Sequence, residues 1–193
     1  ENIPWNRVVK MMREQTNLAE QANFTTVWLT EHHFAHNGYL NAPPNPIMMS
    51  LDLASHSKKI RVGQAPIVLP DWHPLRVAED IALLDNMTEG RVDFGVAKGI
   101  NERVTLQFNQ DADRRDNEKS YRLFMESLDV ILKAWTQNPF THKGEFYEFP
   151  VPGWKETNRF LMPLEKEYHS DEGEYTGYFS IPGVIQFTDG IGV

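Results

Sequence analysis

Glu31, His32 and His33 follow one another directly after an apolar, β-prone run, in the stretch VWLTEHHF at residues 27–34. A carboxylate beside two imidazoles can hold and pass protons near neutral pH, or ligate a metal. Burying such groups is costly unless they are paired, so this strand either ends at water or reaches a site that uses a histidine. Side chains alternate along a strand, so at most one of His32 and His33 faces the sheet centre. The plain alternative is a strand-end pair, one ring solvated and one hydrogen-bonded. Ala65-Pro66 lies inside the apolar run IRVGQAPIVLP and is followed by Pro70-Asp71-Trp72-His73. Proline cannot donate to a ladder, so a bulge, a cis peptide or an edge strand is expected there. Ala97-Lys98-Gly99 closes a third β-prone run. Lysine beside glycine suits an anion, because glycine lets backbone amides approach it; a solvated turn reads the same way. Arg122 and the acidic segment 165–174 fit ordinary surface charge.

These groups need elements to carry them. Residues 5–22 have apolar side chains near helical spacing at Val8, Met11, Met12, Leu18 and Ala22. Residues 25–30 read as a strand, 46–56 as a helix with Pro46 in its first turn, and 60–70 as a strand buried on both faces. Residues 73–87 read as a helix with its stripe at Val77, Ile81, Leu84 and Met87, stopped by Gly90. Residues 91–99 read as a strand. Residues 115–136 read as the longest helix, with Leu123, Leu128, Ile131, Leu132 and Trp135 inward. Alternation at this spacing predicts α/β architecture, a parallel sheet with helices outside. Ligands then sit at the C-terminal strand ends, where the residues above fall. After Thr136 the rhythm breaks into a hairpin around Lys143-Gly144 and a long stretch rich in Pro, Gly and acids.

Composition narrows the classes. The chain has 193 residues, 40% hydrophobic and 24% charged, enough for a real core. Its 19 Lys and Arg against 27 Asp and Glu give a net charge of −8, which argues against nucleic-acid or anionic-lipid binding. No cysteine is present, so there is neither a disulfide framework nor a thiolate metal site, in keeping with a reducing, cytoplasmic setting. No apolar run approaches the roughly 18 residues of a membrane span, and no signal peptide is visible.

VWLTEHHF, the stretch IRVGQAPIVLPDWHPLRVAEDIALLDNMTEGRVDFGVAKG and the helix YRLFMESLDVILKAW together resemble the N-terminal half of the bacterial luciferase-like flavin monooxygenases, over residues 5–135. The resemblance implies a (β/α)8 barrel of the TIM type that binds reduced FMN at the strand C-termini. It gives His32 the place of the catalytic histidine near the flavin. It puts Ala65-Pro66 beneath the flavin ring, Ala97 beside it, and Lys98 and Arg122 at its phosphate. Glu31 joins these as a cofactor-binding residue. Lysine where the family has arginine keeps the charge but loses the bidentate fork. The implied reaction is activation of O2 by reduced flavin and insertion of one oxygen into a small organic substrate. A separate flavin reductase would supply the reduced FMN.

A complete barrel takes about 250 residues. The pattern here supplies only part of one: residues 1–136 as its N-terminal portion, and residues 137–193 as a hairpin and long insertion leading toward a truncated fifth strand. An open half-barrel exposes sheet edges and an apolar inner face. A longer protein, a second chain, or an oligomer that exchanges halves is therefore expected to complete it. Two other functions stay open at this point. One is a non-catalytic flavoprotein or structural subunit on the same scaffold. The other is a metal-dependent barrel hydrolase, which is disfavoured because adjacent histidines diverge where His-x-His would converge on one ion.

Overall fold

The computed structural model describes residues 3–34, 42–137, 139–163, 166–177 and 183–188, and shows three short parallel strand segments side by side with helices packed on one face. β1 (Thr26–Leu29) pairs in parallel with β2 (Arg61–Gln64), and β2 pairs in parallel with β4 (Val92–Asp93). Beyond a break, β3 (Ile67–Val68) pairs in parallel with β5 (Val96–Ala97). The runs read as single strands over 60–70 and 91–99 are thus each divided. The first break falls at Ala65-Pro66, whose peptide is cis and where the proline has no N–H for the ladder.

The two faces differ in kind. Val27, Leu29, Val62 and Val92 pack among the helices, and Gln64, also buried, donates to Ser50 on the helix behind it. The opposite face carries Thr26, Trp28, Arg61, Gly63 and Asp93. There Asp93 accepts from Thr26 Oγ1 at 3.0 Å and from Arg61 Nε at 2.8 Å. Trp28 lies across Gly63, where a Cβ would come within 2.4 Å of the indole, so glycine is what lets the ring lie flat. Trp28 is nevertheless 54% exposed, so this face of the sheet is open.

The helices are α1 (Trp5–Gln21), α2 (Pro46–Ser55), α3 (Pro74–Met87), α4 (Glu102–Phe108) and α5 (Asn117–Thr136). Glu20, at the end of α1, accepts backbone N–H bonds from Lys58, Lys59 and Ile60 and so fixes the entry to β2. These bonds, led by Lys59 and Ile60, hold its carboxyl below the usual range. On α3, Val77, Ile81 and Leu84 are buried as expected, but Met87 is exposed and the chain turns through Gly90 at φ +80°. On α5, Leu132 points outward, while Ser120, Ser127, Val130 and Ala134 fill the buried face beside Leu123 and Ile131. On α1, Met11 and Leu18 are exposed; Val8 and Thr16 are the buried positions.

The expected hairpin forms, with β6 (His142–Lys143) antiparallel to β7 (Glu148–Phe149). Glu126 on α5 holds its turn, accepting from the N–H groups of Glu145, Phe146 and Tyr147. Farther on, turns and isolated bridges replace regular structure, with Trp154 stacked on Tyr175 at 5.2 Å. A final turn, α6 (Ile185–Thr188), is tied by its backbone and by Gln186 to Asp85 of α3. Gln186 also donates to Val92 O at the start of β4, the end of the sheet away from Glu31. The expected approach to a fifth strand is helical at 185–188; Pro182 and residues 189–193 lie outside the described residues. Among the described residues no helix is long and apolar enough to cross a membrane.

Candidate functional site

The strand ends converge on a cavity of about 320 Å³. Thr30, Glu31, His32 and His33 enter it from the end of β1, Pro66, Val68 and Asp71 from the broken second strand, and Ala97 and Gly99 from the third. The fourth side is α4 and the residues before it, with Ile100, Asn101, Arg103, Val104 and Thr105. Polar groups come from the β1 side and from Asp71, Asn101, Arg103 and Thr105. Pro66, Val68, Ala97, Ile100 and Val104 make the rest of the wall largely apolar.

Both histidines border this cavity, against the expectation that one would turn away. Regular strand geometry stops at Leu29, so alternation no longer governs residues 30–33. Glu31 does not reach outward as a free carboxylate. Its side chain is fully buried, and three groups converge on it. Val68 N–H donates to Oε2 at 2.9 Å, Trp72 Nε1–H donates to Oε1 at 2.9 Å, and His33 Nε2 lies 2.7 Å from Oε1. An imidazole nitrogen facing a carboxylate carries the proton, so His33 donates and Nδ1 is its acceptor nitrogen in the neutral ring. Phe108 of α4 packs on the His33 ring with centroids 4.6 Å apart.

Asp71 completes this corner. It lies in a 3₁₀ turn at Leu69–Asp71. Its two carboxylate oxygens are buried and have no hydrogen-bond partner among the described residues. Burial first, and then the negative charge of Glu31, push its carboxyl up to about 7, with His33 pulling the other way. One ligating atom each of Glu31, His33 and Asp71 lie within 4.8 Å of one another.

Of the residues singled out by sequence, Glu31, His32, Pro66 and Ala97 line the cavity together, and Ala65 forms the cis peptide that delivers Pro66. Lys98 and Arg122 are not among its lining residues. Lys98 Nζ bonds Asn117 Oδ1 at the start of α5. Arg122 is held by Glu145 through contacts of 2.7 and 3.1 Å. The cation in the wall is Arg103, which also donates to Phe34 O at 3.3 Å. His73 stands apart, its ring edge-on to Tyr147 and Phe149, and burial lowers its pKa. Three contributors had no sequence expectation: His33 as the partner of Glu31, Asp71 as the unpartnered acid, and α4 with Arg103. The N-cap Asn101, whose side chain accepts from Arg103 N–H, followed by Glu102, is the signal that announces α4.

Comparison with known proteins places this geometry. The family model for luciferase-like monooxygenases matches residues 5–168. An uncharacterized protein, y4vJ, of Sinorhizobium fredii is 36% identical over 143 residues, 74% of this chain and 38% of its own. The alkanal monooxygenase alpha chain of the Kryptophanaron alfredi symbiont is 33% identical over the same shares. The chain therefore spans well under half the length of these curated relatives. Among solved structures, the oxygenating constituent of 3,6-diketocamphane monooxygenase from Pseudomonas putida, in complex with FMN, matches with a TM-score of 0.66 at 20% identity, covering 89% of this chain and 44% of that one. An F420-dependent secondary alcohol dehydrogenase matches with a TM-score of 0.59 at 19% identity, over 72% of this chain and 42% of that one. Parallel strands ending in a shared cavity, and a family match across most of the sequence, agree: the chain belongs to the luciferase-like monooxygenase family.

Proposed function

We propose that the cavity holds reduced FMN, and that the chain is the flavin-binding part of a monooxygenase that uses O2 to oxygenate a small organic substrate. One observation carries this: His32, Pro66, Val68 and Ala97 converge on a single cavity at the strand C-termini in a member of this family. Relatives named as alkanal monooxygenase and as the oxygenase component of a flavin-dependent trigonelline monooxygenase support it, as does the neighbour in complex with FMN.

The residues fit such a group. The apolar wall suits a flat ring system and would keep water from it. Arg103 in the wall, with Lys98 next to Gly99, supplies positive charge for a phosphate. Arg122 would first have to leave Glu145. When bound, the reduced flavin supplies electrons to O2 and the chemistry of oxygen transfer. The chain's part is to orient, to exclude water and to manage protons. His32 is positioned in the wall to accept or return a proton through its imidazole. Glu31 acts through His33 and Trp72, since its oxygens are already engaged. A reductase supplies reduced FMN, and the missing barrel strands come from a longer protein, a second chain or an exchanged copy. Relatives named as alkanal monooxygenase alpha and beta chains make paired chains a reasonable form of this.

Fluorescence titration with FMN and, in parallel, with F420 tests the cofactor. Saturable one-to-one binding of FMN, stronger than that of F420, is expected. Preference for F420, or no binding of either, would refute it. In the completed enzyme with a reductase, NADH and O2, His32→Ala is expected to retain FMN and lose most turnover. Unchanged turnover would remove His32 from catalysis.

A further inference from the structure

The corner formed by Glu31, His33 and Asp71 has two unequal acids. Glu31 is well satisfied: three N–H groups reach its two oxygens, and two of them come from Trp72 and the backbone of Val68, which cannot retreat without disturbing the second strand. Asp71 is the reverse, a buried carboxyl with no donor among the described residues, close to a second carboxylate. A buried acid without donors is stabilised by carrying its own proton. The cluster has the size of a small-cation site, yet a cation there would meet the N–H groups of Trp72 and His33 already pointing at Glu31. The arrangement therefore suits a proton better than a metal.

We propose that Glu31, His33 and Asp71 form a proton-exchange unit in the cavity wall, in which Asp71 holds the mobile proton and Glu31 is the positioning residue that orients His33. Nε2–H of His33 is committed to Glu31, which leaves Nδ1 as the nitrogen that takes a proton. Passing the proton from the Asp71 carboxyl to His33 leaves a carboxylate and an imidazolium, with the total charge of the three unchanged. Releasing it into the cavity instead leaves one more negative charge on the trio. Phe108 and the cavity wall limit the ring's freedom. The unit thus adds a second proton source beside His32, and its use in oxygenation rests on the flavin reading above; its existence does not.

Among the described residues, the other ionisable groups that share a cavity with Asp71 are few. Arg103 of α4 and His32 line the same cavity. On the far side of its 3₁₀ turn a second cavity carries His73, Asp111 and Tyr147, and Asp111 is neutralised by Lys119 of α5. None of these is placed as Glu31 and His33 are, so the pair should dominate its titration.

The test is ¹³C NMR of the carboxyl and imidazole carbons of this chain between pH 4 and 9, without flavin. Asp71 is expected to titrate near 7, about three pH units above exposed aspartates, and the His33 ring resonances are expected to move as the neighbouring carboxyl ionises. In Asp71→Asn the movement of the His33 resonances that follows Asp71 should vanish. Asp71 titrating with the surface aspartates, or His33 resonances that move identically in Asp71→Asn, would overturn the proposal. One equivalent of Zn2+ at pH 7 should leave both resonances in place. Stoichiometric displacement of both would make the corner a cation site and overturn the proton assignment. The wild-type titration needs no variant, and a failure of FMN to bind would not alter its outcome.

Discussion

His33 Nε2 lies 2.7 Å from Glu31 Oε1, and the same carboxylate ties the segment after β1 to Val68 of the second strand and to Trp72 beyond it. One buried carboxylate thus sets the position of an imidazole, an indole and a strand backbone at the cavity. The corner is at once a structural joint and a candidate chemical site.

Glu31→Ala removes the acceptor from three donors at once. Buried N–H groups left without partners cost about 1–3 kcal/mol each, so destabilisation on the order of 3 kcal/mol is expected by urea unfolding. Trp72 emission should shift because its Nε1–H loses its partner. A loss below about 1 kcal/mol would mean that water satisfies these donors and that the joint is not tight.

Asp71 should make stability depend on pH. Its carboxyl, raised to about 7, keeps its proton when folded, whereas the unfolded chain releases it near pH 4. Between those values the folded chain binds more protons, so stability falls as pH rises from about 4 to about 7 and then levels. Asp71→Asn should abolish that slope and stabilise the chain at pH 8 by about 2 kcal/mol, less than the whole shift would give because solvent reaches part of the side chain. At pH 4 the two proteins should be nearly equal. Parallel stability–pH curves for the two would contradict the assignment.

The joint was only half legible in the sequence. VWLTEHHF announced a strand ending in ionisable groups, Ala65-Pro66 announced a broken ladder, and Gly90 announced a helix stop, because each is a local backbone requirement. Asp71 was not legible as a buried acid. Its neighbours Glu31 and His33 lie some forty residues earlier, and no spacing rule reports such a contact. Met87 and Leu132 were misread for a similar reason: helical spacing finds an apolar stripe, and only the neighbouring helix decides which edge of it is covered. The short helix α4 was too brief to show a period, and its cap was the one clue available.

The cations should separate by position. Arg103→Ala should weaken FMN by about tenfold, the scale of one charge-assisted hydrogen bond. Lys98→Glu should weaken it as well, more so at low salt, where a charge at the rim is less screened. Arg122→Ala should have little effect, because that guanidinium is occupied by Glu145. Isothermal titration at two salt concentrations checks all three, and Arg122→Ala having the largest effect would return the phosphate to α5.

Glu126→Ala should loosen the hairpin alone. The amides of Glu145, Phe146 and Tyr147 lose their common acceptor, so their hydrogen exchange should quicken at least tenfold while that of Val62 and Val92 in the sheet stays slow. Uniform acceleration across the chain would show that the hairpin is part of the cooperative core.

The most direct measurement is amide NMR of the chain during titration with FMN. Saturable shifts at Val68, Ala97, Gly99 and Asn101, with the far end of the sheet at Arg61 and Val92 unmoved, are what a flavin in this cavity predicts. No saturable binding, or shifts gathered at Arg61 and Val92 while the cavity amides stay still, would contradict it.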